Sequence, residues 1–201
     1  MATRNDPDAE LMLRVKHGDV HAFEQLVEKH KQPVVNLIAR NLNDPSEAED
    51  IAQNVFIQVY KSAPRYKVSA RFSTWLYTIV RNLCLNEIRR RSRRPAESIE
   101  QSAGGEDAPV RQFEDARSPA APESLLQNEL ELKIQEALQQ LPENQRTAIL
   151  LCRQDELSYE EIARVLGCSL SATKSLIHRG RETLKQRLKP YLRSGTWENK
   201  E

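Results

Sequence analysis

LSYEEIARVLGCSLSATKSLIHRGRETL, residues 157–184, decides the fold. Ile162 and Leu166 lie four residues apart and point one way on a helix; Ala163 and Gly167 repeat that spacing. The polar run CSLSA, residues 168–172, then separates this helix from a second. Small Ala163 lets two helices cross closely, and Gly167 supplies a left-handed turn residue. The spacing is that of a helix-turn-helix. The second helix turns Lys174, Ser175, His178, Arg179 and Arg181 outward, a set suited to base edges near its start and to phosphates on its flanks. A three-helix packing module with a solvated basic face fits the same pattern. His178 has no ligand partner at helical spacing, so neither a metal site nor a cofactor is expected.

Upstream, ESLLQNELELKIQEALQQL (residues 123–141) is a long amphipathic helix, and PENQRTAILLCRQ (residues 142–154) restarts at once, with Pro142 suited to a first turn. A second domain is therefore expected over residues 124–192, with a polar tail over 193–201. Before it, residues 95–123 are rich in Pro, Ala, Gly and Ser and lack an apolar face, which is the composition of a flexible linker. Between Pro95 and Glu131 nine acidic residues meet only Arg111 and Arg117. The linker is acidic in a chain of 201 residues whose formal net charge is +1.

The basic counterpart sits next to it. NEIRRRSRR, residues 86–94, places five arginines in six positions at the end of a first domain spanning 8–94. That domain reads as four helices: residues 8–18, 19–42, 46–63 and 72–94 each carry apolar residues three and four apart. Gly18 and Asp19 divide the first two, Ser46 with Glu49 forms a capping-box pattern for the third, and Pro64 closes it. No alternating strand pattern persists, so the chain reads as all-α. Cys84, Cys152 and Cys168 have no CxxC pairing and sit among apolar or small residues, as buried thiols in a reducing compartment do. The start MATRNDPDAE is no signal peptide, and no apolar run approaches a membrane span. A cytoplasmic protein without membrane insertion is expected.

Three surfaces of the first domain carry chemistry. In the third helix Ala48, Ile51, Ala52, Val55, Phe56, Val59 and Tyr60 form a core stripe, leaving Asp50, Gln53, Asn54, Ile57 and Lys61 on another face, either solvated or, on the evidence of Ile57, partnered. The loop PRYKVSARF, residues 64–72, interleaves Arg65, Lys67 and Arg71 with Tyr66 and Phe72. Single-strand sites have that composition, and so do surface loops whose aromatics turn inward. Along the fourth helix Arg81, Asn82, Asn86, Arg89, Arg90 and Arg93 recur on neighbouring rows, while Trp75, Leu76, Ile79, Val80 and Leu83 mark a buried stripe. Asn and Arg are side chains that read base edges and phosphates.

GDVHAFEQLV, AEDIAQNVFIQVYK and FSTWLYTIVRNLCLNEIRR, followed by LP, Arg146, SYEEIARVLGCS and KSLIHRGRETL, together resemble the extracytoplasmic-function sigma factors, the bacterial class with only regions 2 and 4. The resemblance runs over roughly residues 8 to 192 and implies a function that is not catalysis: binding core RNA polymerase and directing it to promoters. It implies that Asp50, Gln53, Asn54 and Ile57 dock on the β′ clamp helices, with the β flap as a further contact. It implies that Arg65, Tyr66, Lys67, Arg71, Phe72, Asn82, Asn86, Arg89, Arg90 and Arg93 meet the minus 10 DNA, the loop capturing a flipped base and the arginine cluster neutralising phosphates. Lys174, Ser175, His178, Arg179 and Arg181 then meet the minus 35 element. Promoter DNA and an anti-sigma factor are the other implied partners. Asn54 stands where the family has Glu, Thr173 where it has an apolar residue, and Leu176 where it has Arg. A linker of roughly thirty residues has an r.m.s. span of about 30 Å and extends to about 100 Å. Promoter elements one and a half duplex turns apart require about 50 Å, which such a linker reaches without forcing contact between the domains. A stand-alone helix-turn-helix regulator would leave the first domain unexplained, and a recombinase would need a catalytic setting that Tyr191 and Ser194 lack.

Overall fold

The computed structural model describes residues 6–93, 121–154 and 157–194. All regular structure among them is helical: α1 (Pro7–Lys16), α2 (Val20–Leu42), α3 (Pro45–Ser62), a 3-10 turn (Ala63–Arg65), α4 (Phe72–Arg93), α5 (Ala121–Gln139), α6 (Glu143–Leu151), α7 (Tyr159–Leu166) and α8 (Leu170–Ser194). The linker expected over 95–123 lies outside the described residues apart from the start of α5, as does the tail beyond residue 194.

Local chemistry sets the boundaries. Gly18 takes φ 93°, and the Asp19 carboxylate accepts the Ala22 N–H at 3.0 Å to start α2. Asn43, left-handed at φ 56°, ends α2. The cap of α3 is Asp44, which accepts the Glu47 N–H at 3.0 Å, rather than the expected Ser46 with Glu49. Pro45 explains the difference: it lacks an N–H and presets a helical φ, so it takes the first helical position and the cap precedes it. Ser158 and Glu161 form a reciprocal capping box at α7, a pattern written in the sequence as S-x-x-E. Gly167 ends α7 at φ 65°, as the turn requires.

The first bundle packs α1 to α4 around Met12, Leu26, Val34, Ile38, Val55, Val59, Phe72, Leu76 and Val80, and the second packs α5 to α8 around Leu138, Leu151, Ile162 and Ile177. These buried residues join in one apolar core. The bundles therefore touch: α4 lies on α7, and α2 on α6 and α5. The seam is also polar. Tyr77 donates its hydroxyl to Gln154 at 3.0 Å, and Arg71 pairs with Glu161 at 3.7 Å. Asn41 donates to Thr147 at 3.1 Å, and the amides of Gln135 and Gln139 donate to the Arg40 carbonyl at 3.1 and 2.9 Å. That carbonyl belongs to the last turn of α2, where helix carbonyls have no partner of their own. The second bundle supplies one.

Gly180, inside α8, has a role the sequence does not announce. A Cβ there would lie 2.9 Å from Cγ1 of Ile149 on α6. Alanine in a helix interior gains about 1 kcal/mol over glycine, whereas overpacking a core costs about 1 to 3 kcal/mol. Gly180→Ala is predicted to lower the thermal midpoint, and adding Ile149→Val to recover part of the loss; calorimetry of the two variants checks the pair.

Candidate functional site

Three exposed surfaces carry the residues singled out by the sequence. On α8, Thr173, Ile177 and Gly180 form the inward row, so Lys174, Ser175, His178, Arg179 and Arg181 all face outward and are exposed. Thr173 is fully buried, yet its hydroxyl is satisfied: it donates to the Ser169 carbonyl at 3.1 Å and lies 3.2 Å from Cys168 Sγ. A threonine thus fills an apolar position without leaving an orphaned group. Leu176 is half-buried against the core.

On α4, Asn82, Asn86, Arg89 and Arg93 recur four, three and four residues apart and form one exposed row. Leu76 and Val80 are buried on the opposite side, while Trp75, Ile79 and Leu83 are half-buried against the core. The arginine cluster divides by partner. Arg90 donates to Glu87 at 2.6 and 2.8 Å and to Glu47 at 2.6 Å. Arg91 reaches Glu87 at 3.0 Å, Asp44 at 2.8 Å, and Glu47. Hydrogen bonds from Arg90 hold the Glu87 carboxyl below the usual range, with Arg91 adding to them and burial opposing. Arg90 thereby ties α4 to α3 and remains exposed. Arg89 and Arg93 have no acid partner among the described residues.

The loop before α4 turns its aromatics inward. Tyr66 and Phe72 are buried, at 4% and 0% exposure. Tyr66 meets Trp75 edge-on at 5.0 Å, and Phe72 packs against His30 and Trp75 at 5.3 and 5.8 Å. Burial pushes the Tyr66 hydroxyl up to about 12, with the charges of Asp6 and Asp8 adding to it. Arg65, Lys67 and Arg71 are exposed.

Between α2 and α3 runs an apolar groove of about 700 Å³. Gln53 and Ile57 line it; Asp50 and Asn54 are exposed on the same helix. Phe23, Val27 and Tyr60 were not foreseen there. Tyr60 was expected in the core, yet it is 48% exposed, its ring 5.1 Å from that of Phe23. The available signal was in α2, where Val20, Phe23 and Val27 make a second apolar row beside Ala22 and Leu26. Lys31, Glu49 and Lys61 rim the groove. Of the three free thiols only Cys84 is buried, and burial pushes it up to about 12; Cys152 and Cys168 are half-buried. No described helix is long and apolar enough to cross a membrane.

Comparison with known proteins agrees with this geometry. Residues 26–94 match the Sigma-70 region 2 family, and residues 131–184 match Sigma-70, region 4. The chain is 37% identical over 192 residues to the RNA polymerase sigma-H factor of Pseudomonas aeruginosa, covering 94% of this chain and 97% of that one. It is 35% identical over 177 residues to the ECF RNA polymerase sigma factor SigW of Bacillus subtilis, covering 88% and 94%. A solved structure of CnrH in complex with the cytosolic domain of CnrY has the same fold, with TM-score 0.66 at 23% identity over 91% of this chain and 97% of that one. Two helical modules that present a helix-turn-helix and a polar helix row define a promoter-recognition subunit. The chain belongs to the extracytoplasmic-function sigma factors, which direct RNA polymerase in transcription initiation.

The divided arginine cluster makes a prediction. Arg91→Ala should cost about 1 kcal/mol of stability, since a network of ion pairs holds better than an isolated exposed pair. Because the folded Glu87 carboxyl is held low, its share of stability is full at neutral pH and is lost as pH falls through that lowered value. Arg89→Ala and Arg93→Ala should leave stability within about 0.5 kcal/mol while flattening the salt dependence of promoter binding. Thermal melts at neutral and acid pH, with a salt titration of DNA binding, check both halves.

Proposed function

We propose that the groove between α2 and α3 is the polymerase-docking face, with Ile57 and Gln53 at its edge and Asp50 and Asn54 beside it, and that it receives the β′ clamp helices. Apolar residues rimmed by lysines and a glutamate suit a partner helix with an apolar stripe and flanking charges. An anti-sigma factor would compete for the same face. The observation that carries the DNA reading is the α4 row: Asn82, Asn86, Arg89 and Arg93 are exposed in register along one side of a helix. Asparagines there can meet base edges, and the two arginines the flanking phosphates. Arg65, Lys67 and Arg71 extend this surface across the loop. Lys174, Ser175, His178, Arg179 and Arg181 form the minus 35 surface, with the first two near the helix start reading bases. Polymerase performs the chemistry, and this chain supplies promoter choice and holds unpaired bases.

Reading both elements at once requires α4 and α7 to part, because the elements are about 50 Å apart whereas the two helices touch. We infer that docking on polymerase opens the seam.

Ile57→Asp is predicted to leave the fold intact, because Ile57 is 48% exposed, and to abolish capture of core polymerase. Lys174→Ala and Arg179→Ala should weaken discrimination at single minus 35 positions by about 1 to 3 kcal/mol each without changing core binding. Core pull-down and competition between promoter variants measure the two effects. Unchanged core capture by a folded Ile57→Asp protein would remove the docking assignment.

A further inference from the structure

Helix α1 precedes the region 2 match, which begins at residue 26, and none of its residues belongs to the DNA surfaces described above. It nevertheless holds the recognition loop at both ends. Asp6 divides its carboxylate between two helix starts. Oδ1 accepts the Asp8 N–H at 3.1 Å and caps α1, while Oδ2 accepts the Phe72 N–H at 2.7 Å, an otherwise orphaned donor in the first turn of α4. At the other end of α1, Lys16 Nζ donates to the Tyr66 carbonyl at 3.0 Å. The helix is itself fixed. Asp8, 5% exposed, lies 2.8 Å from His30 Nε2 and accepts from Lys29 Nζ at 2.7 Å, bolting α1 to α2.

The pinned backbone atoms bracket the exposed part of the loop. Tyr66 and Phe72 are anchored twice, by these backbone contacts and by burial of their rings. Between them Lys67, Val68, Ser69 and Arg71 are exposed, and the one backbone hydrogen bond within this stretch runs from the Ser69 N–H to the Lys67 carbonyl at 2.9 Å. So short a span, fixed at both ends, has few conformations to choose among, and the place of Lys67 follows from where the ends are held, while Arg71 is also paired with Glu161. Pre-organising a loop in this way converts binding energy into selectivity, because a base that fits badly cannot recruit a different loop shape.

We propose that Asp6 and Lys16 are positioning residues for minus 10 selectivity: by clamping the Phe72 N–H and the Tyr66 carbonyl, they fix the loop that holds the unpaired base. The inference rests on the reading of this loop as a minus 10 contact. Neither residue touches DNA; each acts through the loop backbone.

The test uses holoenzyme reconstituted from the full chain and core polymerase, presented with promoters randomised at the minus 10 and, separately, the minus 35 element. The variants are Lys16→Met, which keeps the aliphatic stem and loses the donor; Asp6→Asn, which keeps one acceptor oxygen but not two; and Lys67→Ala, a direct probe of the loop. Lys16→Met and Asp6→Asn should each reduce base preference at the minus 10 element by about tenfold, the equivalent of one good base contact. Minus 35 preference and core affinity should not move, and amide exchange over residues 67–71 should quicken. Lys16→Arg, which keeps a cationic donor, should restore much of the preference. If Lys67→Ala alters minus 10 preference while both clamp variants keep that of the parent, the positioning role is wrong and the loop reading stands. If no variant alters it, both fall. An equal loss of activity on every promoter would show α1 to be merely structural and would also overturn the proposal. Lys16 is half-buried at the end of its helix, so its variant carries the test should Asp6→Asn fold poorly.

Discussion

Two bundles compete for the circumference of α4. A helix turns once in about 3.6 residues, so each row of side chains owns only a strip of its surface. Phe72, Leu76 and Val80 are given to the core, Cys84 lies toward Glu143 and Arg146 of α6, and Tyr77 reaches across to Gln154 beside α7. Glu87, Arg90 and Arg91 are given to the join with α3. What is left is the strip of Asn82, Asn86, Arg89 and Arg93. The polar character of this strip, the rigidity of the helix beneath it and the inward turn of Tyr66 and Phe72 all follow from that allocation.

Buried polar groups make the seam between the bundles costly to form. Its most demanding group is Arg146, 8% exposed, whose guanidinium donates to the neutral acceptors Gln139 Oε1 at 2.8 Å and Asn41 Oδ1 at 3.4 Å. Burial pulls this guanidinium below its usual range, with the charge of Glu143 opposing. A cation withdrawn from water without a close carboxylate recovers little of its hydration. Asn41 and Thr147, both buried, likewise depend on partners within the seam. The seam therefore gains apolar burial but gives much of it back in desolvation, as expected of domains that come together and part. A covalent tether keeps the two halves at high local concentration, so a weak seam is enough to close the free chain.

The helix-turn-helix was legible in the sequence because its determinants are local. Gly167 needs a left-handed φ, Ala163 needs to be small, and Lys174 to Arg181 follow at fixed helical offsets. The row on α4 was legible for the same reason. What was hidden depends on distant partners. Nothing near Asp6 says that its carboxylate caps a helix beginning at Phe72, and Asn41 bonds to Thr147 across the whole linker. Tyr60 reads as core because it continues the spacing of Phe56 and Val59, yet the bundle places no helix over it, and it faces the groove beside Phe23. Arg90 looks the same as Arg89 in a run of arginines. Only the packing of α3 against α4 brings Glu47 to one and not the other.

On the inference that docking opens the seam, one chain has two states, closed over α4 and α7 when free and open when both promoter elements are read. Spin labels at exposed Gln58 on α3 and exposed Lys185 on α8 would report it directly by pulsed dipolar spectroscopy. In the free chain the distance distribution should be narrow and short. In the promoter-bound holoenzyme it should shift outward toward the scale of the about 50 Å between elements. The same narrow distribution in both would show that the seam stays closed on the promoter.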